Sequence, residues 1–376
     1  MNGGSKPHRS ERPAEHVTHI LTIVGARPQF IKAAVVSRRI AETSGVSECL
    51  VHTGQHHDAN MSDVFFEELG IPPAAHHLGI AGLSHGAMTG RMLEGLETVM
   101  RDETPDWVLV YGDTNSTIAG ALAAAKLGIP VAHVEAGLRS FNRSMPEEVN
   151  RVLTDHCSDI LFTPTATGAA NLLREGLPPE RIVEVGDVMF DAALYFGRRA
   201  DERGLSAATR GYRPGGYVLA TVHRQENTDD IRRLRVILSG LQMVAAELPV
   251  ILPLHPRTRA RIAAEGLESL TRGLTLLEPQ GYLEMIALER EAAVIATDSG
   301  GVQKESFFHG VPCVTLRDET EWTELLEAGW NRLAPMDDGE AVAAAVLGAR
   351  GRPGSAVTPY GDGNAAGRIV TRLVHG

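Results

Sequence analysis

Ile20-Leu21-Thr22-Ile23-Val24-Gly25-Ala26-Arg27-Pro28-Gln29-Phe30-Ile31-Lys32 decides the fold. The first five residues form a short, largely β-branched run, which spacing and length assign to a strand. Gly25 breaks that run, and Pro28 stands where a helix tolerates proline, in its first turn. A strand, a tight turn and a helix start within thirteen residues open a βαβ unit, whose strands pair in parallel.

The same rhythm continues outward. Strand-like runs recur at 49–52, 107–111, 131–134, 160–162 and 182–185, with helical stretches such as 30–41 and 117–126 between them. Right-handed crossovers stack these into one doubly wound unit. After a polar Gly/Pro-containing stretch at 200–216 the rhythm restarts at 217–221, 250–254, 274–277, 293–296 and 313–316. The expected fold class is α/β, two doubly wound Rossmann-like domains facing a cleft. The expected domains are 18–204 and 205–364, with 1–17 a disordered polar leader and a last helix in 365–376 packing back on the first domain. Ligands of such sheets bind outside the carboxyl ends of the strands, so the site belongs in the interdomain cleft.

Composition narrows the function. The 376 residues carry 36 basic and 47 acidic side chains, a formal charge of −11, which disfavours a nucleic-acid partner. No apolar run is long enough to span a bilayer, so no membrane partner is expected. Cys49, Cys157 and Cys313 are odd in number and sit in or beside apolar runs, as reduced thiols of a cytoplasmic protein do. The pairs His56-His57 and His76-His77 point apart on regular elements and make poor metal ligands. The dinucleotide spacing Gly-x-Gly-x-x-Gly is absent after the first strand, and neither metal nor cofactor is expected.

Chemistry-bearing residues cluster where strands end. Arg27 and Lys32 lie by the first helix N-terminus, where an anion is favoured, although Arg27 also suits a surface salt bridge. Asp113 and Glu135 follow neighbouring strands, and Pro146-Glu147-Glu148-Val149-Asn150-Arg151 adds acids at a helix start. Carboxylates sharing one rim split into an acid and a base. The plain alternatives are a helix cap for Asp113, an ion pair from Glu135 to Arg139 or Arg143, and helix-dipole contacts for Glu147 and Glu148. In the second half His223 and His255 each follow a strand, facing a phosphate or satisfying a local carbonyl. Ser299, Gly300 and Gly301 lie between a strand and a helix, where glycines let phosphate oxygens approach backbone N–H groups. Glu305, one turn on, is placed to reach ribose hydroxyls.

Taken in order, eight stretches resemble the bacterial non-hydrolysing UDP-N-acetylglucosamine 2-epimerase family, over about 21–369. They are Gly-Ala-Arg-Pro-Gln-Phe-Ile-Lys (25–32), Thr-Gly-Gln-His (53–56), Gly-Asp-Thr (112–114), His-Val-Glu-Ala-Gly-Leu-Arg (133–139), Pro-Glu-Glu-Val-Asn-Arg (146–151), His-Arg-Gln-Glu-Asn (223–227), Asp-Ser-Gly-Gly-Val-Gln-Lys-Glu (298–305) and Tyr-Gly-Asp-Gly-Asn-Ala (360–365). The resemblance implies a glycosyltransferase type B fold and inversion at C2 of a UDP-sugar. The reaction it implies is anti elimination of UDP to a 2-acetamidoglucal, then re-addition on the other face. By motif match it assigns catalysis to Asp113, Glu135, Glu147, His223, Lys32 and Arg151. It assigns UDP to Arg27, His223, Ser299, Gly300, Gly301 and Glu305; His255, at the next strand end, joins them by position, as does uracil near 278–282. Gln55 and His56 match a segment that binds a regulatory second sugar nucleotide in bacterial relatives, or form a loop beside the site. A cytoplasmic homodimer is implied as well.

Two departures bear on the sugar. Many members acting on UDP-N-acetylglucosamine carry Gly-Thr-Arg-Pro-Glu at the first motif and Thr-Glu-Arg-Pro where this chain has Thr-Glu-Trp-Thr (320–323). The present form resembles relatives that epimerise UDP-2,3-diacetamido-2,3-dideoxy-glucuronate for polysaccharides. A neutral Gln29 near Arg143 suits an extra sugar carboxylate, unless Gln29 faces the core of its turn. The expected substrate is UDP-N-acetylglucosamine, with the diacetamido uronate as the alternative. A UDP-sugar glycosyltransferase and a hydrolysing epimerase share the fold and remain rivals.

Overall fold

The computed structural model describes residues 17–55 and 68–375; the leader up to residue 16 and His56 lie outside them. Two all-parallel sheets organise the chain. The first runs β3-β2-β1-β4-β5-β6-β7, from β1 (Thr18–Val24), β2 (Val46–His52), β3 (His76–His77), β4 (Trp107–Tyr111), β5 (Val131–Val134), β6 (Ile160–Thr163) and β7 (Ile182–Glu184). The second runs β10-β9-β8-β11-β12-β13, from β8 (Val218–Thr221), β9 (Val250–Pro253), β10 (Thr275–Leu277), β11 (Val294–Thr297), β12 (Cys313–Thr315) and β13 (Asn331–Leu333).

The apolar runs become central strands because helices cover both faces of each sheet. Ile20, Leu21, Ile23 and Val24 are fully buried on alternate sides of β1, which lies between β2 and β4. Strand order reverses at β1/β4 in one sheet and β8/β11 in the other, and these reversals open the crevices that receive ligands. Gly25 is required where β1 enters its turn. A Cβ there would stand 2.1 Å from Thr53 Oγ1 and 2.2 Å from Ser116 Oγ.

The two halves share apolar packing. Ile369, Val370 and Leu373 of the last helix (Ala365–His375) join the core of Phe30, Ile31 and Phe196, which also takes in Tyr282 and Ile286 from the second half. Asp191 starts that last helix by accepting from the N–H groups of Ala365 (3.0 Å) and Ala366 (2.8 Å). Among the described residues, no helix is long and apolar enough to cross a membrane.

Candidate active site

The first wall forms around β1, β4 and β5. Gln29 is buried, and its Oε1 accepts from Gly25 N (2.8 Å) and Ala26 N (3.0 Å). Its Nε2 donates to Tyr111 O (2.8 Å) and Thr117 Oγ1 (3.0 Å). The amide therefore clamps β1 to β4 at the switch point, so of the two readings of Gln29 its polar end follows the one that faces the core of its turn, while the residue also lines the cavity beside Lys32.

Glu135 follows β5 with φ +73°, a left-handed conformation that costs a non-glycine residue about 1–3 kcal/mol. Its carboxylate pairs with Lys32 and, from the second half, lies 3.3 Å from Lys304 Nζ. Arg139, the partner considered from sequence, instead binds Asp155 and Glu175, each at 2.7 Å. Beneath this rim both ring nitrogens of His133 face acceptors, Asp155 Oδ1 at 2.7 Å and Gly112 O at 2.8 Å. That strut fixes the carbonyl just before Asp113.

Asp113 is held by Arg151, Nη2 to Oδ2 at 2.6 Å, while the other arm of the guanidinium grips Glu148 at 2.6 Å. Thr114, not Asp113, caps the following helix (Asn115–Leu127). Of the adjacent acids, Glu148 turns inward and accepts from Ser140 N (2.9 Å) and Phe141 N (3.0 Å). Burial pushes its carboxyl up, but those bonds and Arg151 outweigh burial and hold it below the usual carboxylate range. Glu147 faces the cleft. A cavity of about 180 Å³ is lined by Lys32, Asp113, Glu147, Asn150, Gln55 and His85 among others. Gln55 is tied to Ser116 through its Oε1, 3.0 Å from N and 2.9 Å from Oγ.

The second wall forms at β8/β11. The buried Asp298 carboxylate accepts from His223 N, Arg224 N and Asn227 Nδ2, each at 3.0 Å, so the loop after β8 folds onto the end of β11. The His223 ring stays partly exposed, 5.7 Å from that of His255. His255 uses Nδ1 to cap its own helix, accepting from Arg257 N at 3.2 Å. Burial, then His223, Arg257 and Arg27, push the His255 imidazole down from its ordinary range. Ser299 caps the helix Gly300–Phe308 through Val302 N at 3.5 Å, and the N–H groups of Gly300 and Gly301 belong to its first turn, which has no intrahelical acceptor for them. Glu305 is buried beside Tyr282, and its charge opposes Arg27 from the other wall.

The structure thus gathers Lys32, Asp113, Glu135, Glu147 and Arg151 on one wall, and His223, His255, Ser299, Gly300 and Gly301 on the other. Sequence reasoning passed over His85 and Asp187, and met Trp322 and Lys304 only inside longer motifs, with no part of their own. Lys304 was legible only as a lysine inside the Ser-Gly-Gly motif, with no sign that it crosses to Glu135.

Away from the cleft, Cys49, His76 and Glu103 bring donor atoms within 4.8 Å of one another. The Glu103 carboxylate is shared between His76 (2.7 Å) and His19 (3.5 Å). Burial, with Glu103 adding to it, pushes the Cys49 thiol up to about 11. The group is a hydrogen-bonded cluster that ties β3 to β1 and to the end of the helix His85–Glu103.

Two facing Rossmann-like sheets, with a Ser-Gly-Gly helix N-terminus on one wall and paired acids and cations on the other, define an enzyme of the glycosyltransferase type B fold. The sequence pattern of the UDP-N-acetylglucosamine 2-epimerase family matches residues 38–374, and the chain belongs to that family of isomerases. It is 53% identical over 362 residues to the UDP-2,3-diacetamido-2,3-dideoxy-D-glucuronate 2-epimerase of Pseudomonas aeruginosa, covering 94% of this chain and 99% of that one. The UDP-GlcNAc 2-epimerase of Methanocaldococcus jannaschii, solved in complex with UDP-GlcNAc and UDP, superposes with a TM-score of 0.83 at 41% identity, covering 96% and 99% of the two chains. The Neisseria meningitidis enzyme bound to UDP-GlcNAc gives a TM-score of 0.86 at 31% identity, covering 96% and 100%.

Proposed function

We propose that this chain is a non-hydrolysing UDP-sugar 2-epimerase. The observation that carries the reading is the placement of three carboxylates, Asp113, Glu135 and Glu147, with Lys32 and Arg151 among them, opposite the helix N-terminus at Ser299–Gly301. The diphosphate takes the first-turn N–H groups of Gly300 and Gly301, with Arg27, His223 and His255 around it. Glu305 takes the ribose, and the sugar enters the cavity beside Asp113. A carboxylate removes the C2 proton, whose electron pair forms the C1–C2 double bond as the C1–O pair departs with UDP. Re-addition forms the C1–O bond again while a proton reaches C2 from the opposite face. Acids on separate elements serve the two faces, and Lys32, pushed down to about 8 by burial and by Lys304, can exchange a proton near neutral pH.

The sugar is UDP-2,3-diacetamido-2,3-dideoxy-glucuronate. The 53% identity to the Pseudomonas enzyme supports this reading, against 41% to the Methanocaldococcus enzyme solved with UDP-GlcNAc. That second relative supports UDP-N-acetylglucosamine as the other substrate. The enzyme works in the cytoplasm, which its free cysteines suit, and as a homodimer; exposed Val149 and Leu153 on the helix Pro146–Cys157 offer an apolar face for a second copy. Proton NMR in D2O with each UDP-sugar tests the reading. The inverted sugar nucleotide should appear with deuterium at C2; free sugar plus UDP, or no change with either substrate, would overturn it.

A further inference from the structure

Only four of the chain's 36 basic residues are lysine, Lys6, Lys32, Lys126 and Lys304, and two of them meet at one carboxylate. Lys304 lies one turn into the helix whose N-terminus carries Ser299, Gly300 and Gly301. Its side chain is 3% exposed and crosses the cleft to the first half, with Nζ 2.6 Å from Asp187 Oδ2 and 3.3 Å from Glu135 Oε1. Behind it the Trp322 ring lies 4.3 Å away, and the same indole N–H donates to Gly300 O at 2.9 Å. One aromatic side chain therefore braces both the anion-binding turn and the lysine.

We propose that Lys304, braced with the Ser299–Gly301 turn by Trp322, is a positioning residue that holds and tunes the Glu135–Lys32 pair from the opposite wall. The inference rests on the epimerase reading for its kinetics. Lys32 is faced by Asp113 after β4, Asp187 before the helix Val188–Glu202, Arg151 on the helix Pro146–Cys157, and Lys304. Burial and then the charge of Lys304 push the Lys32 ammonium down to about 8. Lysine suits Lys32 because it can lose its proton, as arginine cannot. Removing the Lys304 charge takes a neighbouring cation from Lys32, which favours the ammonium. The Lys32 titration then moves to higher pH. A brace with no electrical part would change stability or affinity without moving it.

The test compares Lys304→Met and Lys304→Arg with the wild type, following epimerisation by NMR from pH 6 to 10. In Lys304→Met, kcat at pH 7 should fall about tenfold as the pair loses its hold, KM should stay within about twofold, and the alkaline limb of the profile should move about one unit higher. Lys304→Arg keeps the charge and should retain most of the rate and the wild-type profile. A second readout needs no turnover. Carbon NMR of 13Cε-lysine-labelled protein holds only four side-chain signals, and Lys32 is identified by its loss in Lys32→Arg. Its midpoint near 8 should rise by about one unit in Lys304→Met. An unmoved midpoint, or a variant that raises KM alone, would overturn the proposal. If Lys304→Met does not fold, Lys304→Gln keeps the stem and a donor toward Asp187, and the same outcomes decide. A wild type that inverts neither sugar would sink the reaction reading alone, since the lysine titration still settles the link.

Discussion

Arg151 grips Asp113 and Glu148 with separate arms of one guanidinium, each at 2.6 Å. The two carboxylates thereby take different parts. Asp113 stays a third exposed at the cavity, whereas Glu148 is spent on the loop at Ser140 and Phe141. Asp113→Asn should lower kcat by about 10²–10⁴-fold, the range for a general acid or base, with UDP affinity little changed. Glu148→Gln should instead lower stability by about 1–3 kcal/mol through weakened buried bonds, seen in urea unfolding. Equal kinetic losses in both variants would remove the division of labour.

Lys32 sets a pH limit on the reaction. With its ammonium near 8, a step that needs the charged form should fail as pH rises through that value, giving an alkaline limb in kcat. Lys32→Arg should remove that limb and leave a slower enzyme. The stability effect has the opposite slope to the rate. Between about 8 and the ordinary lysine value of 10.5 the unfolded chain holds more protons at this site than the folded one, so its contribution to stability rises with pH. Denaturant titrations of wild type and Lys32→Gln at pH 8 and pH 10 check the sign.

The parts legible in the sequence were those set by local pattern. Buried parallel strands announce themselves as apolar runs, and strand-end motifs locate a cleft once both sheets are counted. β3 and β13 escaped because His76–His77 and Asn331–Leu333 are too short and too polar to show a period. Gln29 left two readings open, a sugar contact and the core of its turn. Its position beside a strand end suited a ligand contact, and only the register of β1 against β4 shows that Tyr111 O takes its Nε2. Lys304 sat between two residues already singled out, Gly301 and Glu305, but a helical lysine ordinarily faces water. Its burial depends on Asp187, 117 residues away, and no local periodicity carries that information.

Gln29 offers a sharp check because its two ends need different chemistry. Gly25 N and Ala26 N want an acceptor, while Tyr111 O wants a donor. Gln29→Glu keeps the first pair and turns the second into oxygen facing oxygen. Stability should fall by about 1–3 kcal/mol in urea unfolding. The ratio of rates on UDP-N-acetylglucosamine and the diacetamido uronate should not change. A switch in that ratio would return Gln29 to the sugar site.

His309 and Glu289 make the last prediction, on pH and stability. Glu289 lies on the helix Tyr282–Arg290 and His309 just after the helix Gly300–Phe308, both side chains buried, with Nε2 and Oε2 3.8 Å apart and neither atom hydrogen-bonded. Burial, with Arg290 adding to it, pushes the imidazole down to about 4, and burial with Glu305 nearby pushes the Glu289 carboxyl well up. The imidazole is thereby neutral at pH 7, and its proximity to Glu289 adds no ion pair. Below about 6.5 an unfolded histidine takes a proton that the folded one refuses until about 4, so the folded state loses stability as pH falls through that window. From pH 7 to pH 5 the loss from this residue is about 2 kcal/mol. His309→Gln should flatten that part of the stability profile, measured by urea unfolding at pH 7, 6 and 5. An unchanged slope would mean that His309 charges in the folded protein.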